Sequence, residues 1–73
     1  MHNRYISTIT AAGDAGVLLS PDSMAILVHE LESSGWRRVH NAPGTLVAYV
    51  NHDALYCHIA WDGRGRPVAW TSH

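Results

Sequence analysis

The strongest constraint in this sequence is a change of hydrophobic period at Gly35. Before that glycine, apolar residues recur at the i, i+3, i+4, i+7 spacing of one helix face. This set comprises Met24, Leu27, Val28 and Leu31. Ser20 suits the N-cap, Pro21 suits the first helical position, and Gly35 suits the position that follows a last turn. The pattern predicts one amphipathic α-helix over about residues 21–34.

After Gly35 the side chains alternate with a period of two, which is typical of strands with one buried face. The alternating segments are 36–40, 45–50, 55–61 and 66–71. Residues 4–10 are rich in β-branched and aromatic types and predict a strand, and residues 17–19 predict a short return strand. We therefore predict an α+β fold: one helix packed on an antiparallel meander of four to five strands, with an N-terminal strand or hairpin before the helix.

The length of 73 residues predicts a single domain over 1–73. Cys57 is the only cysteine, so no internal disulfide can add to the thin core of so short a chain. Extra stability would come from a partner, from dimerisation or from very good packing. No apolar run approaches the roughly 20 residues of a membrane helix, and no signal-peptide pattern follows Met1. These features predict a soluble cytoplasmic protein that does not bind a membrane.

The predicted register of the strands depends on hairpin loops of even length. The expected closing pairs are His40–Thr45, Val50–Leu55 and Trp61–Arg66. The face under the helix would then carry Val39, Leu46, Ala48, Val50, Leu55, Cys57, Ile59, Trp61, Val68 and Trp70. The opposite face would carry Trp36, Tyr49 and Tyr56 in one row across the strands, with Arg38, His40 and His58 beside them.

Aromatic residues and arginine are enriched in binding hot spots. Because one helix covers only one face of a sheet, we predict a binding site on the other face. Its members are Trp36, Arg38, His40, Tyr49, Tyr56 and His58. Two other interpretations stay open, since aromatic cross-strand pairs stabilise a sheet by about 0.2–1 kcal/mol each without any function, and the N-terminal segment can fold over this face.

No residue pattern predicts a catalytic or metal site. Cys57 and His58 are neighbours on a strand and point to opposite faces, so they cannot share a metal ion. Cys57 is expected in the core, where a thiol is inert. His40 or His58 beside Arg38 is the arrangement that general acid–base cleavage of RNA would use. Since a shallow sheet face excludes water poorly, we predict a non-enzymatic protein without cofactor or metal.

A helix that ends in Gly35-Trp36 and leads into a hairpin resembles the HicA-type RNA-cleaving toxins over about residues 22–61. That family has a Gly-Ser-His stretch at the opening of its second strand, and its second helix follows the sheet. Here the stretch reads Gly44-Thr45-Leu46, without the catalytic His, and the chain ends in a strand pattern. The resemblance therefore does not carry the activity. In its size and in a sheet covered by a helix on one face only, the chain is also similar to small phage-encoded inhibitors of host defence, including anti-CRISPR proteins.

The charge balance bears on the partner. Five basic and six acidic residues give a net charge of -1, whereas proteins that grip phosphates usually carry a basic excess. We therefore predict a protein-binding module, an inhibitor or accessory protein, whose partner is another protein or a second copy in a homodimer. The alternative is a single-stranded RNA or DNA binder that uses the same face, or a HicA-like ribonuclease.

Overall fold

A computed structural model describes residues 3–73. The elements are α1 (Arg4–Ala12), a 3-10 turn (Gly13–Ala15), β1 (Val17–Leu18), α2 (Pro21–Ser33), β2 (Arg37–Ala42), β3 (Leu46–Val50), β4 (Tyr56–Trp61) and β5 (Pro67–Ser72). The strands form one antiparallel sheet in the order β1-β5-β4-β3-β2. The predicted α+β fold is confirmed, with two helices instead of one. Within residues 3–73, neither helix is long and apolar enough to cross a membrane.

Helix α2 begins and ends where its capping residues predict. The Ser20 side chain accepts a hydrogen bond from the backbone N–H of Ser23 at 3.1 Å, which satisfies one of the free donors of the first turn. Leu27 and Leu31, in the middle of the apolar stripe, are fully buried. Gly35 has a φ of 84°, in the left-handed region that glycine adopts without strain after a helix.

The predicted N-terminal strand is wrong, because residues 4–10 belong to helix α1. Ile9 is buried in the core, and Tyr5 and Ile6 pack against it. The side chain of Glu30, itself buried, accepts hydrogen bonds from the backbone N–H of Tyr5 at 3.0 Å and of Ile6 at 3.1 Å. These bonds satisfy donors that the first turn of a helix leaves free. Packing and this long-range cap outweigh the weak helix propensity of the β-branched residues.

The register of the sheet also differs from the prediction, because all three hairpins close through loops of odd length. The closing pairs are Ala42–Leu46, Val50–Tyr56 and Trp61–Pro67. A β-bulge between Arg38 and His40 shifts β2 once more. Strand β4 keeps its predicted orientation, whereas β3 and β5 are turned over. The helices therefore pack on Val47, Tyr49, Cys57, Ile59 and Ala69. The residues wrongly expected beneath the helix are Val39, which is 46% exposed, and Leu46, Ala48, Val50, Val68 and Trp70.

Two of these loops share one construction that fixes their odd length. The loops begin at Asn51 and Asp62, and in each the side-chain Oδ1 accepts two backbone N–H groups at 2.9–3.0 Å. A backbone bond to the carbonyl of the same residue closes the turn at Ala54 and at Gly65. Both of those residues have positive φ, of 62° and 76°. Inside each loop, the backbone bonds from Asn51 N–H to Leu55 O and from Asp62 N–H to Arg66 O enclose three residues, a turn followed by a left-handed residue. This construction has odd length, so it reverses the parity expected from an even loop.

The buried Cys57 and Tyr49 predict a loss of stability at alkaline pH. Burial raises the pKa of Cys57 from 9.0 to about 12, and burial with the nearby Glu32 carboxylate raises the pKa of Tyr49 from 10.0 to about 12. Both groups hold protons more tightly in the folded chain. Their contribution is therefore complete below about pH 9 and is lost as pH rises towards 12.

We expect the free energy of unfolding, measured in urea at several pH values, to fall by about 1.4 kcal/mol per pH unit for each group that ionises only in the unfolded chain. The Cys57→Ala variant should lose the part of this slope that begins near pH 9, and Tyr49→Phe should lose the part that begins near pH 10. An unchanged slope in both variants would show that neither group is the cause.

Candidate protein-interaction face of the sheet

The two helices pack on one face of the sheet, here called the inner face, which supplies the strand residues of the core. The outer face is formed by the alternate residues of the strands. The helices pack on the opposite face, and the chain at Gly16 lies close to Val68 and Trp70 at the β5 side of the outer face. The outer face comprises Leu18 of β1, Arg37, His40 and Ala42 of β2, Leu46, Ala48 and Val50 of β3, Tyr56, His58 and Ala60 of β4, and Val68, Trp70 and Ser72 of β5.

The outer face is mostly apolar and much of it meets solvent. Leu18 at one edge is 54% exposed and Tyr56 is 37% exposed. Leu46, Val68 and Trp70 are partly exposed between them. Removing apolar side chains from water is favourable, so a protein surface that covers this face would be stabilised by apolar burial.

Three aromatic rings lie together at the centre of this face. The ring of His58 lies 5.0 Å from the Trp70 ring and 6.0 Å from the Tyr56 ring, centroid to centroid, with an interplanar angle of 17° in both pairs. Burial in this stack lowers the pKa of His58, and its Nδ1 has no hydrogen-bond partner within the described chain. His58 is thus neutral at pH 7. The folded chain favours the neutral imidazole, so the packing of His58 contributes its full stability above pH 6.5. This stability is lost as the pH falls, because the unfolded chain binds the proton more readily.

The structure brings together only half of the predicted binding residues. Tyr56, His58 and His40 lie on the outer face as expected. Tyr49 does not: it is 1% exposed and lies on the inner face opposite Cys57. The prediction of an exposed row of three aromatic residues was therefore wrong, and the cause is the odd loop between β3 and β4.

Arg38 and Trp36 also belong to the inner side. The Tyr49 hydroxyl donates a hydrogen bond to Glu32 Oε2 at 2.8 Å, and Arg38 lies 3.7 Å from the same oxygen. The Arg38 guanidinium is also 5.8 Å from the centre of the Tyr49 ring. Trp36 packs against the core. Each of these predicted binding residues has a structural partner within the chain.

Sequence reasoning missed the other half of the outer face, above all Trp70, Leu46 and Val68. Even loops before β4 and β5 would place all three in the core, whereas the observed odd loops place them on the outer face. The signal that identifies the odd loops is an Asn or Asp followed three positions later by a residue that adopts positive φ. Asp62 and Gly65 show it clearly, whereas Ala54 is an uncommon choice after Asn51.

The thiol and the possible metal ligands among the described side chains can be placed directly. Cys57 is buried with a raised pKa, so its thiol stays protonated and unreactive at neutral pH. Within residues 3–73, no three His, Cys, Asp or Glu side chains lie close enough to hold a metal ion. No protein-family model, curated protein or solved structure matches this chain.

Proposed function

We propose that the chain is a non-enzymatic protein-binding module that acts through the outer face of its sheet. The observation that carries this proposal is a five-stranded sheet with helices on one side only and a stack of Tyr56, His58 and Trp70 on the other. Large aromatic residues surrounded by aliphatic side chains are the usual composition of an interface hot spot.

The size of the outer face supports the proposal. With strands about 4.8 Å apart and about 3.3 Å per residue, its projected area is on the order of 400 Å². Apolar patches of about 300–600 Å² are the largest on typical monomers and are often functional. A partner that covers this face and part of its rim would reach the roughly 800 Å² per side of a standard interface.

Charge favours a different protein over a second copy as the partner. Arg37 is the only permanently charged residue of the outer face, and no Asp or Glu lies on that face within the described strands. Two copies packed sheet to sheet would therefore offer Arg37 no carboxylate. We propose that the chain is an inhibitor or accessory protein in the cytoplasm, of the kind that phages encode against host defences such as CRISPR systems. A short chain with one docking face can act by covering a site on its partner.

Single-stranded RNA or DNA is the second candidate, and the ring stack is the observation that favours it, because bases stack on aromatic side chains. Its weakness is electrostatic. Arg37 is the one arginine on the outer face of the described strands. Arg38 and Arg66 lie beside Glu32 and Asp62, at 3.7 and 3.0 Å. Nucleic-acid binders usually neutralise several phosphates.

Partner capture from a native lysate, with and without nuclease, tests the proposal when it is done with matched variants. We expect Trp70→Ala to weaken binding of the captured protein by about 30-fold or more, the effect of losing a hot-spot residue. Leu18→Glu, at an exposed edge position, should weaken it through a charge placed on the apolar face. Titration calorimetry with the purified partner gives the dissociation constants, and circular dichroism checks that both variants are folded.

Ile26→Ala is the control, because Ile26 is an apolar residue of α2, 46% exposed and away from the outer face. Equal affinities for Ile26→Ala and the two outer-face variants would show that binding does not use this face. Loss of the partner on nuclease treatment would favour the nucleic-acid candidate, and sedimentation of the pure chain as a dimer would favour a second copy.

A further inference from the structure

A small cavity opens at the end of the outer face where β2 leaves α2 and β3 enters its loop. It has a volume of about 150 Å³ and is lined by Gly35, Arg37, Val50, Asn51 and His52. We propose that this cavity binds a carboxylate group of the partner, an Asp or Glu side chain or a C-terminus, as the polar anchor of the docked protein. The proposal rests on the proposed function, because Arg37 and Val50 belong to both the cavity and the outer face.

Arg37 supplies the charge for this site. Arg38 and Arg66 each have a carboxylate within 4 Å, whereas within residues 3–73 no carboxylate lies within that distance of Arg37. Its side chain is exposed on β2, opposite Val50. A guanidinium without an internal partner can bind a carboxylate through two parallel hydrogen bonds, which are stronger than bonds between neutral groups.

Asn51 supplies a fixed donor. Its Oδ1 accepts the backbone N–H groups of Asp53 and Leu55, so the side-chain amide is held by the loop. The Nδ2 group at the other end of that amide makes no hydrogen bond within the described residues, and it can only donate. A cavity wall made of an arginine and an amide NH₂ group selects a ligand that accepts hydrogen bonds.

The remaining walls set the size and environment of the site. Val50, 9% exposed, forms the one apolar wall of the cavity. Gly35 has no side chain, and the space beside its Cα is open, so that side of the cavity is unobstructed. His52 is highly exposed and lies 3.9 Å from the Asp53 carboxylate, which makes it the weaker contributor.

The charge pattern also selects the source of the ligand. A nucleic acid would need further cations along the outer face, and none of the described strands supplies another arginine there. A protein partner needs one carboxylate at the cavity and an apolar surface over Tyr56 and Trp70. An acidic residue beside an apolar patch is therefore the chemistry that this face fits.

The test uses the full chain labelled with ¹⁵N and titrated with acetate, with the neutral isostere acetamide, and with phosphate, at constant ionic strength set by sodium chloride. We expect acetate to shift the amide signals of Gly35, Asn51 and His52 in a saturable way, with a half-saturation concentration about tenfold lower than for acetamide. Arg37→Gln should raise that concentration about tenfold. Arg64→Ala, at an exposed arginine of the β4–β5 loop, should leave it unchanged.

Equal shifts with acetate and acetamide, equal affinity in Arg37→Gln, or tighter binding of phosphate than of acetate would each overturn the carboxylate site. The same variants separate this inference from the proposed function. If Leu18→Glu abolishes binding of the captured protein while Arg37→Gln does not, the outer face docks a protein and the carboxylate anchor is wrong. If neither Trp70→Ala nor Arg37→Gln affects that binding, both the proposed function and the anchor fail, even where acetate binds.

Discussion

Replacing Ile59 with alanine is expected to lower the free energy of unfolding by about 2–5 kcal/mol, the range observed when a buried isoleucine leaves a cavity. Ile59 is 1% exposed and lies in the middle of β4, paired with Val47 on one side and Ala69 on the other. A chain of this length has a total stability of about 4–10 kcal/mol. The urea midpoint should therefore fall by about 2 M or more, since m is about 1 kcal/mol/M for a small domain.

Leu46→Ala is the matched control, because the predicted register places Leu46 opposite Ile59 on one face and the observed register separates them. Leu46 pairs with Ala60 on the outer face and is only half-buried. Its loss should cost about 1 kcal/mol or less. Similar destabilisation by both substitutions would contradict the observed register and restore the predicted one.

This pair of variants also shows why the sequence predicts the strands better than their faces. The residues of β3 are Leu-Val-Ala-Tyr-Val, so either set of alternate side chains is apolar enough to meet the helices. Hydrophobic alternation specifies a register only where one face is clearly polar. In this sheet the loop lengths determine the register, and one residue more or less in a loop exchanges the two faces of the next strand.

Helix α2 was predictable because its signals are local and independent of one another. The Ser20 cap, Pro21 at the first position and the spacing of Leu27 and Leu31 all indicate the same element. The residues of the outer face were predictable where the strand kept its parity. Tyr56 and His58 on β4 were placed correctly, whereas Tyr49 on β3 lies in the core and Trp70 on β5 takes its place on the surface.

The N-terminal segment illustrates a different limit, since what makes it helical lies more than 20 residues away in the chain. Residues 4–10 are typical of a strand by composition. Asn3 makes no side-chain cap, so the local signal for the start of a helix is weak. The cap comes instead from Glu30 of α2, which reaches the first turn of α1. The sequence shows only that an acidic residue lies next to the apolar stripe.

Removing that carboxylate is expected to release α1 from the rest of the fold. Glu30 is 4% exposed, and in Glu30→Ala the N–H groups of Tyr5 and Ile6 would lose their acceptor at a partly buried position. Hydrogen bonds to a charged group contribute about 1.5–3 kcal/mol each, and the negative charge also favours the N-terminal end of the helix dipole. We expect a loss of about 3 kcal/mol in the free energy of unfolding.

Glu30→Gln separates the hydrogen bonds from the charge. The amide keeps one acceptor oxygen, so we expect about half of the loss seen in Glu30→Ala. Hydrogen exchange at the amides of Tyr5 and Ile6 locates the effect: it should accelerate strongly in Glu30→Ala and less in Glu30→Gln, while the amide of Ile59 follows global stability alone. Unchanged exchange at both amides in Glu30→Ala would mean that packing of Ile9 holds α1 without the carboxylate. In that case, a variant carrying both Glu30→Ala and Ile9→Ala should lose no more free energy of unfolding than Ile9→Ala alone.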